Sequence, residues 1–342
     1  MASLKENLHK IIMELRKIRT LLRNDGNNNL PLESYSNIID NIIQQKNNNN
    51  INSTEWLKGI ISRNIINIII PDGITVIGNR AFYECSNLET VELPNTITTI
   101  EDYAFCYCTN LTSIMIPDSV KSIGNSAFRS CSSLTSVEIP NSVKSIGDFA
   151  FWDCSRLTSV TIGNSVTSIG EDAFEGCNSL ISIEIPDSVT RIGKWGFSRC
   201  SSLTSIKMPD SVTIIENGTF YGCNSLTSIE IPDSVTGIWG NAFDSCRSLT
   251  SVTIPNSVTD IASNAFLNCS NLENVTFEED FQCGLDLSAS TKFSVDTMIA
   301  MFNALVDRTG LSAYTLTLGN TNLAKLTNEQ IAIATEKNWI LA

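Results

Sequence analysis

One spacing constrains this chain more than any other feature. Proline stands at Pro71, Pro94, Pro117, Pro140, Pro186, Pro209, Pro232 and Pro255, a 23-residue period with Gly163 in the one remaining place. Phenylalanine keeps the same phase from Phe82 to Phe266, cysteine from Cys85 to Cys269, and leucine from Leu88 to Leu272. Nine registers run without insertion or deletion. A period of this length marks one structural unit repeated and stacked. No single unit can bury its own seven or eight apolar residues, so neighbours must cover one another.

The unit reads Ala-Phe-x-x-Cys-x-x-Leu-x-x-Val-x-Ile-Pro-Asp-Ser-Val-x-x-Ile-Gly-x-x. Val137 and Ile139 are two apart, the period of a strand. Pro140 ends that strand because it has no N–H to donate. Asn141 and its Asp or Asn equivalents suit a turn and are expected to satisfy turn backbone groups. Val143 and Ile146 point inward again, and Ala150, Phe151 and Cys154 fit a single helical turn at most. Parallel strands about 4.8 Å apart would give a ladder on the order of 40 Å long.

These phased residues resemble the BspA-like leucine-rich repeat family. The resemblance covers residues 65–277 and rests on the Ala-Phe, Cys, Leu, Val/Ile and Ile-Pro-Asp/Asn-Ser-Val positions. It implies an α/β solenoid of nine units with short parallel strands, and a recognition or adhesion role without chemistry. The expected organisation is a helical N-terminal arm with an Asn-rich linker over 1–50 and an N-terminal cap over 51–64. The repeat solenoid would follow over 65–282, and an αβ C-terminal cap with longer strand-helix repeats over 283–342.

Charge follows the same division. The chain carries a net −13, with 17% charged residues. Residues 1–62 hold 8 basic and 6 acidic side chains, residues 63–282 hold 11 and 25, and residues 283–342 hold 4 and 5. An acidic body argues against nucleic acid as a partner. His9 is the one histidine, which excludes histidine triads and two-histidine metal sites. No apolar run reaches the length of a transmembrane helix, so no membrane insertion is expected. Glycines recur once per unit (Gly78, Gly124, Gly147, Gly170, Gly193) and read as turn residues, not as a phosphate loop. Neither an enzyme nor a cofactor is expected.

Nine of the eleven cysteines share one unit position. Stacking would hold their Cβ atoms about 4.8 Å apart, wider than the roughly 3.8 Å of a disulfide. They read as a buried apolar column rather than a zinc or disulfide set. Cys106 and Cys283 fall off that column, and Cys106 is expected to be exposed and open to oxidation. Unpaired thiols suit synthesis in the cytoplasm. The stretch Met1–Arg23 has scattered charges and no signal-peptide core. A bacterial surface or virion-associated location is the expectation.

At the N-terminus, Leu4, Leu8, Ile11, Leu15, Ile18 and Leu22 step by heptad intervals. Leucine at a and isoleucine at d favour trimers or tetramers, making a homo-trimer or other homo-oligomer an expectation. An amphipathic helix packed on its own chain is the alternative. The segment Ile18–Ile43 resembles N-terminal segments of phage structural proteins, and Leu316–Ala342 is similar to terminal segments of BspA-like proteins from gut Firmicutes and their prophages. In the C-terminal part, Leu285–Leu287, Thr315–Leu318 and Trp339–Leu341 read as strands. Ser294 would cap a helix through Val295–Arg308, and Thr327 with Gln330 forms a capping box for a helix through Lys337.

Two outward columns carry the candidate binding residues. Glu92, Glu138, Glu184 and Glu230 recur every second unit on the strand's outer face, about 10 Å apart, which suits a basic partner better than a calcium ion. Two residues before each phenylalanine, Tyr103, Phe149 and Trp195 recur with a 46-residue step, flanked by Tyr107 and Trp152. Exposed aromatics anchor protein interfaces and stack on sugars; their alternative is to fold over the solenoid edge. The sequence therefore supports a non-enzymatic module that binds a protein or glycan on a cell surface. A phage or prophage tail-fibre or decoration component, assembled through the N-terminal helices, is the other reading.

Overall fold

A computed structural model describes residues 65–70 and 72–342. The expected arm, the N-terminal cap and the heptad positions lie outside these residues. Each unit contributes two short parallel strands and a tight edge. In the strand Ser136–Ile139, burial alternates, with Val137 and Ile139 inside and Ser136 and Glu138 outside. Ten such strands, from Asn67–Ile69 to Asn274–Phe277, form one parallel sheet in sequence order. The register advances by one unit per strand, so Val137 faces Val160 and Glu138 faces Thr161. After the proline turn, strands such as Ser145–Ile146 build a second, six-stranded sheet that ends at Arg191–Ile192. A separate three-stranded sheet resumes at Ile214–Ile215.

The interior is a set of stacked columns. Nine phenylalanines from Phe82 to Phe266 are fully buried. Consecutive rings lie 5.0–6.0 Å apart with planes within 15° of parallel. Offset stacks of this kind add about 0.5–1.5 kcal/mol per pair beyond area burial. The cysteine column lies inside beside them, and all eleven cysteines are buried. Its thiols are also donors. Cys131 Sγ donates to the Phe105 carbonyl at 3.2 Å and Cys154 Sγ to the Phe128 carbonyl at 3.2 Å, each reaching one unit back. Burial raises these thiol pKa values well above their ordinary value, as at Cys131 and Cys177.

Polar ladders tie the units together, and they differ in part from the expected one. Asn141 Oδ1 accepts from the Asn164 N–H at 2.7 Å, as anticipated. The hydroxyl one residue further on recurs more often. Ser188, Ser211, Ser234 and Ser257 donate to the carbonyls of Val166, Val189, Val212 and Val235 at 2.6–2.8 Å. A second Asx ladder lies after the glycine position, where Asp102, Asn125 and Asp148 accept from the N–H groups of Asn125, Asp148 and Glu171. The glycines themselves are not turn residues in the expected sense. A Cβ at Gly124, Gly147, Gly170 or Gly193 would lie 2.5–2.6 Å from backbone of the preceding unit, so the path of the chain in these units leaves no room for a side chain there.

The C-terminal part forms a three-stranded parallel sheet of Leu285–Asp286, Tyr314–Thr317 and Trp339–Leu341. Helices α1 (Val295–Ala304), α2 (Asn320–Leu323) and α3 (Asn328–Thr335) connect its strands. Ser294 caps α1, and Thr327 and Gln330 form the capping box of α3. Helix α1 ends before the expected Arg308, because Leu305 turns extended and bridges Phe281 in parallel. The Lys337 ammonium then caps α1's open end, donating to Phe302, Asn303 and Leu305 carbonyls at 2.7–3.2 Å. Helix α3 likewise ends at Thr335, short of the Lys337 expected from sequence. Asn322 is fully buried and donates to the Ser290 and Leu318 carbonyls, joining the cap to the last repeat through Ser290 and Cys269.

Candidate functional site

The third side of the solenoid carries the aromatic residues. It has no strands, yet its backbone forms a ladder of its own. The N–H groups of Tyr103, Phe105 and Tyr107 donate to the carbonyls of Asn125, Ala127 and Arg129 in the next unit, at 2.7–2.9 Å. Between them, Cys106 and Cys108 make local bonds to Tyr103 and Phe105. This alternation places the residues two before and two after phenylalanine in the left-handed region: Tyr103 at φ 57°, Phe149 at 57° and Trp195 at 57°, then Tyr107 at 62° and Asp153 at 56°. Such a conformation costs an L-residue roughly 1–2 kcal/mol. Gly218 and Asn241 occupy the same column in other units, so aromatic residues stand where smaller ones fit with less strain.

All five aromatic candidates (Tyr103, Tyr107, Phe149, Trp152 and Trp195) lie on this one edge and are half-buried rather than fully exposed. Arginines hold several of them. The Arg80 guanidinium lies 5.1 Å from the Tyr103 ring centre and 5.4 Å from that of Tyr83. Arg129 lies 4.3 Å over Trp152 and 5.9 Å from Phe149. Tyr83 meets Tyr107 edge-on at 5.9 Å, and Trp195 meets Tyr221 edge-on at 5.5 Å. A Cβ on Gly218 would lie 2.0 Å from the Trp195 ring, so that indole lies flat against the next unit's backbone. The rings do fold over the edge, and they remain partly accessible while doing so.

Cys106 is not the exposed thiol the sequence suggested. It is 1% exposed, and burial pushes its pKa up to about 11 against the opposing pull of Arg129 and Arg80. Tyr83, Arg129 and Trp152 stand at the same unit position in the neighbouring units and are half-buried, and the sequence alone gives no sign that Cys106 is sealed among them. Cys283 is also buried.

Charge is mixed along the edge. Arg80 and Arg129 stand on its first four units with Glu84 and Asp153, while Asp172 and Glu175 stand on the unit after Phe151. Burial, then the hydrogen bond and charge of Glu175, push Asp172 up to about 7. Glu175 also lies 3.8 Å from Arg199. Among the described residues, no group of three or more His, Cys, Asp or Glu side chains could hold a metal ion.

The glutamate column lies elsewhere, on the ten-stranded sheet. Glu92, Glu138, Glu184 and Glu230 are all exposed. Lys207 sits in register between Glu184 and Glu230. Met115, 83% exposed, stands between Glu92 and Glu138 in the same column. Glu230 lines a shallow depression with Ser228, Thr253 and Glu278. The two candidate sets therefore belong to different faces and do not form one site.

The family model described as BspA type Leucine rich repeat region, in six copies, matches residues 61–181 and 167–283. No curated protein matches the chain. Among solved structures, a leucine-rich repeat protein from Bacteroides ovatus is 24% identical, with 82% of this chain and 84% of that one covered and a TM-score of 0.48. A leucine rich cell surface protein from Faecalibacterium prausnitzii is 29% identical, with 62% and 79% covered and a TM-score of 0.37. A leucine-rich repeat protein from T. pallidum is 27% identical, with 55% and 79% covered and a TM-score of 0.40.

Proposed function

The chain belongs to the BspA-type leucine-rich repeat family, and from that premise we propose that it is a recognition module whose ligand lies along the aromatic edge. One observation carries this reading: Tyr103, Phe149 and Trp195 bring half-buried rings to one edge, each on a left-handed backbone position that the repeat also imposes on Arg80, Ser126 and Asp172. Rigid, half-buried rings make good anchors, because little side-chain freedom is left to lose on binding. The ligand is a protein or glycan of a cell surface, engaged without chemistry. Residues 65–282 form the binding body in this reading, with 283–342 as its cap. Glu92, Glu138, Glu184 and Glu230 offer a second, acidic surface for a basic partner. No helix among the described residues is long and apolar enough to cross a membrane.

The test uses substitutions that suit the backbone. Tyr103→Asn, Phe149→Asn and Trp195→Asn together place at each position the residue found at Asn241, φ 56°. Binding to a glycan array and to purified cell-surface proteins should fall sharply while the melting curve changes little. Undiminished binding by the folded triple variant would overturn the edge as the ligand site.

A further inference from the structure

We propose that the first part of this edge, over the units of Phe82 to Phe151, takes an anionic polysaccharide bearing a carboxylate on every second sugar. The inference rests on the edge being the binding surface and names the ligand class. Its centre is Arg129. The Nε of that residue is buried with no hydrogen-bond partner, and the guanidinium rests on Trp152 at 4.3 Å. A guanidinium presents five donors in a planar fork that matches a carboxylate. Asp153 feels the charge of Arg129, yet no ion pair joins them. The cation is thus fixed by aromatic rings, not neutralised by an acid in contact.

Arg80 makes a similar contact from another unit position, two residues before phenylalanine instead of one after, held over Tyr103 and Tyr83. It stands two units before Arg129, a separation of about 10 Å along the stack. Tyr103 and Phe149 are also two units apart. An extended β-linked polysaccharide advances by a step similar to one solenoid unit per sugar. One disaccharide would then span two units, with one sugar face against a ring and the next sugar's carboxylate at a guanidinium. An extended peptide strand repeats same-face side chains about every 6.8 Å, out of phase with this pattern. Glu84 on the first unit and Asp153 on the fourth, followed by Asp172 and Glu175, would repel a further carboxylate, which confines the carboxylate sites to the two arginines between them.

The probes are hyaluronan and unsulfated chondroitin oligosaccharides, titrated calorimetrically into the full chain at low salt. The same sugars after carboxyl reduction, and poly-L-glutamate, serve as comparisons. At least one of the two glycans should bind, and binding should vanish on carboxyl reduction. Arg129→Gln should weaken it about tenfold to a hundredfold, as expected for loss of a charged hydrogen-bonded pair. Arg247→Gln, on a distant unit, should leave it unchanged, and melting curves identify any variant that fails to fold. No binding by either glycan, binding that survives carboxyl reduction, or equal binding of poly-L-glutamate would each overturn the inference. If neutral glycans or proteins bind in a way that requires Tyr103, Phe149 and Trp195, only the ligand class fails. If the triple asparagine variant keeps all binding, the edge reading fails with it.

Discussion

Replacing Gly147 with alanine sets two well-defined effects against each other. Its φ is not positive, so alanine is conformationally allowed there. In the unfolded chain, alanine has fewer states to lose, which alone would stabilise the fold by about 0.4–1 kcal/mol. The packed state argues the opposite way. A Cβ on Gly147 would lie 2.6 Å from the Gly124 carbonyl carbon and 2.7 Å from the Asn125 nitrogen. Both are backbone atoms of the preceding unit, tied into a ladder, and cannot rotate aside as a side chain would. Overpacking of this kind costs about 1–3 kcal/mol. At the middle of both ranges the packing cost is the larger, leaving a loss of about 1 kcal/mol once the entropic gain is subtracted.

Urea unfolding followed by tryptophan fluorescence and far-ultraviolet circular dichroism would measure this loss, and a thermal scan should show a fall of roughly 2–4 °C per kcal/mol. Gly176 provides the control. Its φ is +74°, and the nearest atom to an added Cβ is 3.5 Å away, so its constraint is conformational rather than steric. Asparagine, which tolerates the left-handed region, should be nearly neutral at Gly176 and still destabilising at Gly147. Glu101, Glu216, Trp239 and Ala262 show that the position can carry a Cβ. The second sheet is interrupted between Arg191–Ile192 and Ile214–Ile215, where the glycine run ends. A Gly147→Ala variant as stable as the parent, or more so, would refute the claim that these glycines set the distance between units.

Three further outcomes follow from the same structure. None of the eleven cysteines should react with a water-soluble disulfide reagent at pH 8 in the native chain, and all should after denaturation; rapid labelling of Cys106 would contradict its burial. Asp172 has its pKa raised from 3.8 to about 7, so the folded state holds that proton more tightly than the unfolded chain. Its stabilising contribution is present below the unfolded value and is lost as pH rises through about 7. Asp172→Asn should therefore gain stability relative to the parent between pH 5 and pH 8, and a difference independent of pH would count against it. Light scattering should find the full chain oligomeric through Leu4, Leu8, Ile11, Leu15, Ile18 and Leu22, and monomeric after removal of residues 1–46; a full-length monomer would count against assembly through these residues and against the virion reading.

What the sequence discloses depends on whether a residue's surroundings repeat. Phe151, Cys154 and Leu157 meet the same neighbours as their equivalents one unit away, so their burial is readable from the period alone. Cys106 is different. It stands at a variable position whose surroundings, with the charges of Arg80 and Arg129 acting on its thiol, no period announces. The left-handed backbone at Tyr103 and Phe149 was equally hidden, because that column holds Arg80, Ser126, Asp172 and Trp195 instead of a run of glycine or asparagine. The glycine column was visible but its purpose was not, since close approach between units and a turn leave the same residue. Helix α1 stops at Ala304 because Leu305 must reach Phe281, a long-range demand that no local propensity contains.

The same contrast explains why this edge can carry recognition. In an ordinary loop, the side chain helps choose the backbone conformation, so changing one disturbs the other. Here the conformation at Tyr103 is imposed from outside, by N–H groups that must reach the next unit's carbonyls and by the stacked phenylalanines beneath. Each ladder bond contributes about 0.5–1.5 kcal/mol, each stack about as much again, and they offset the roughly 1–2 kcal/mol cost of a left-handed L-residue. Arginine, tyrosine, serine, phenylalanine, aspartate and tryptophan can then share one column without altering the path of the chain. Surface identity is thereby separated from fold, and the order of aromatic, basic and acidic units along the edge becomes the variable part of an otherwise fixed molecule. A partner would read that order, which is why charge-altering changes at Arg129 should affect binding far more than stability.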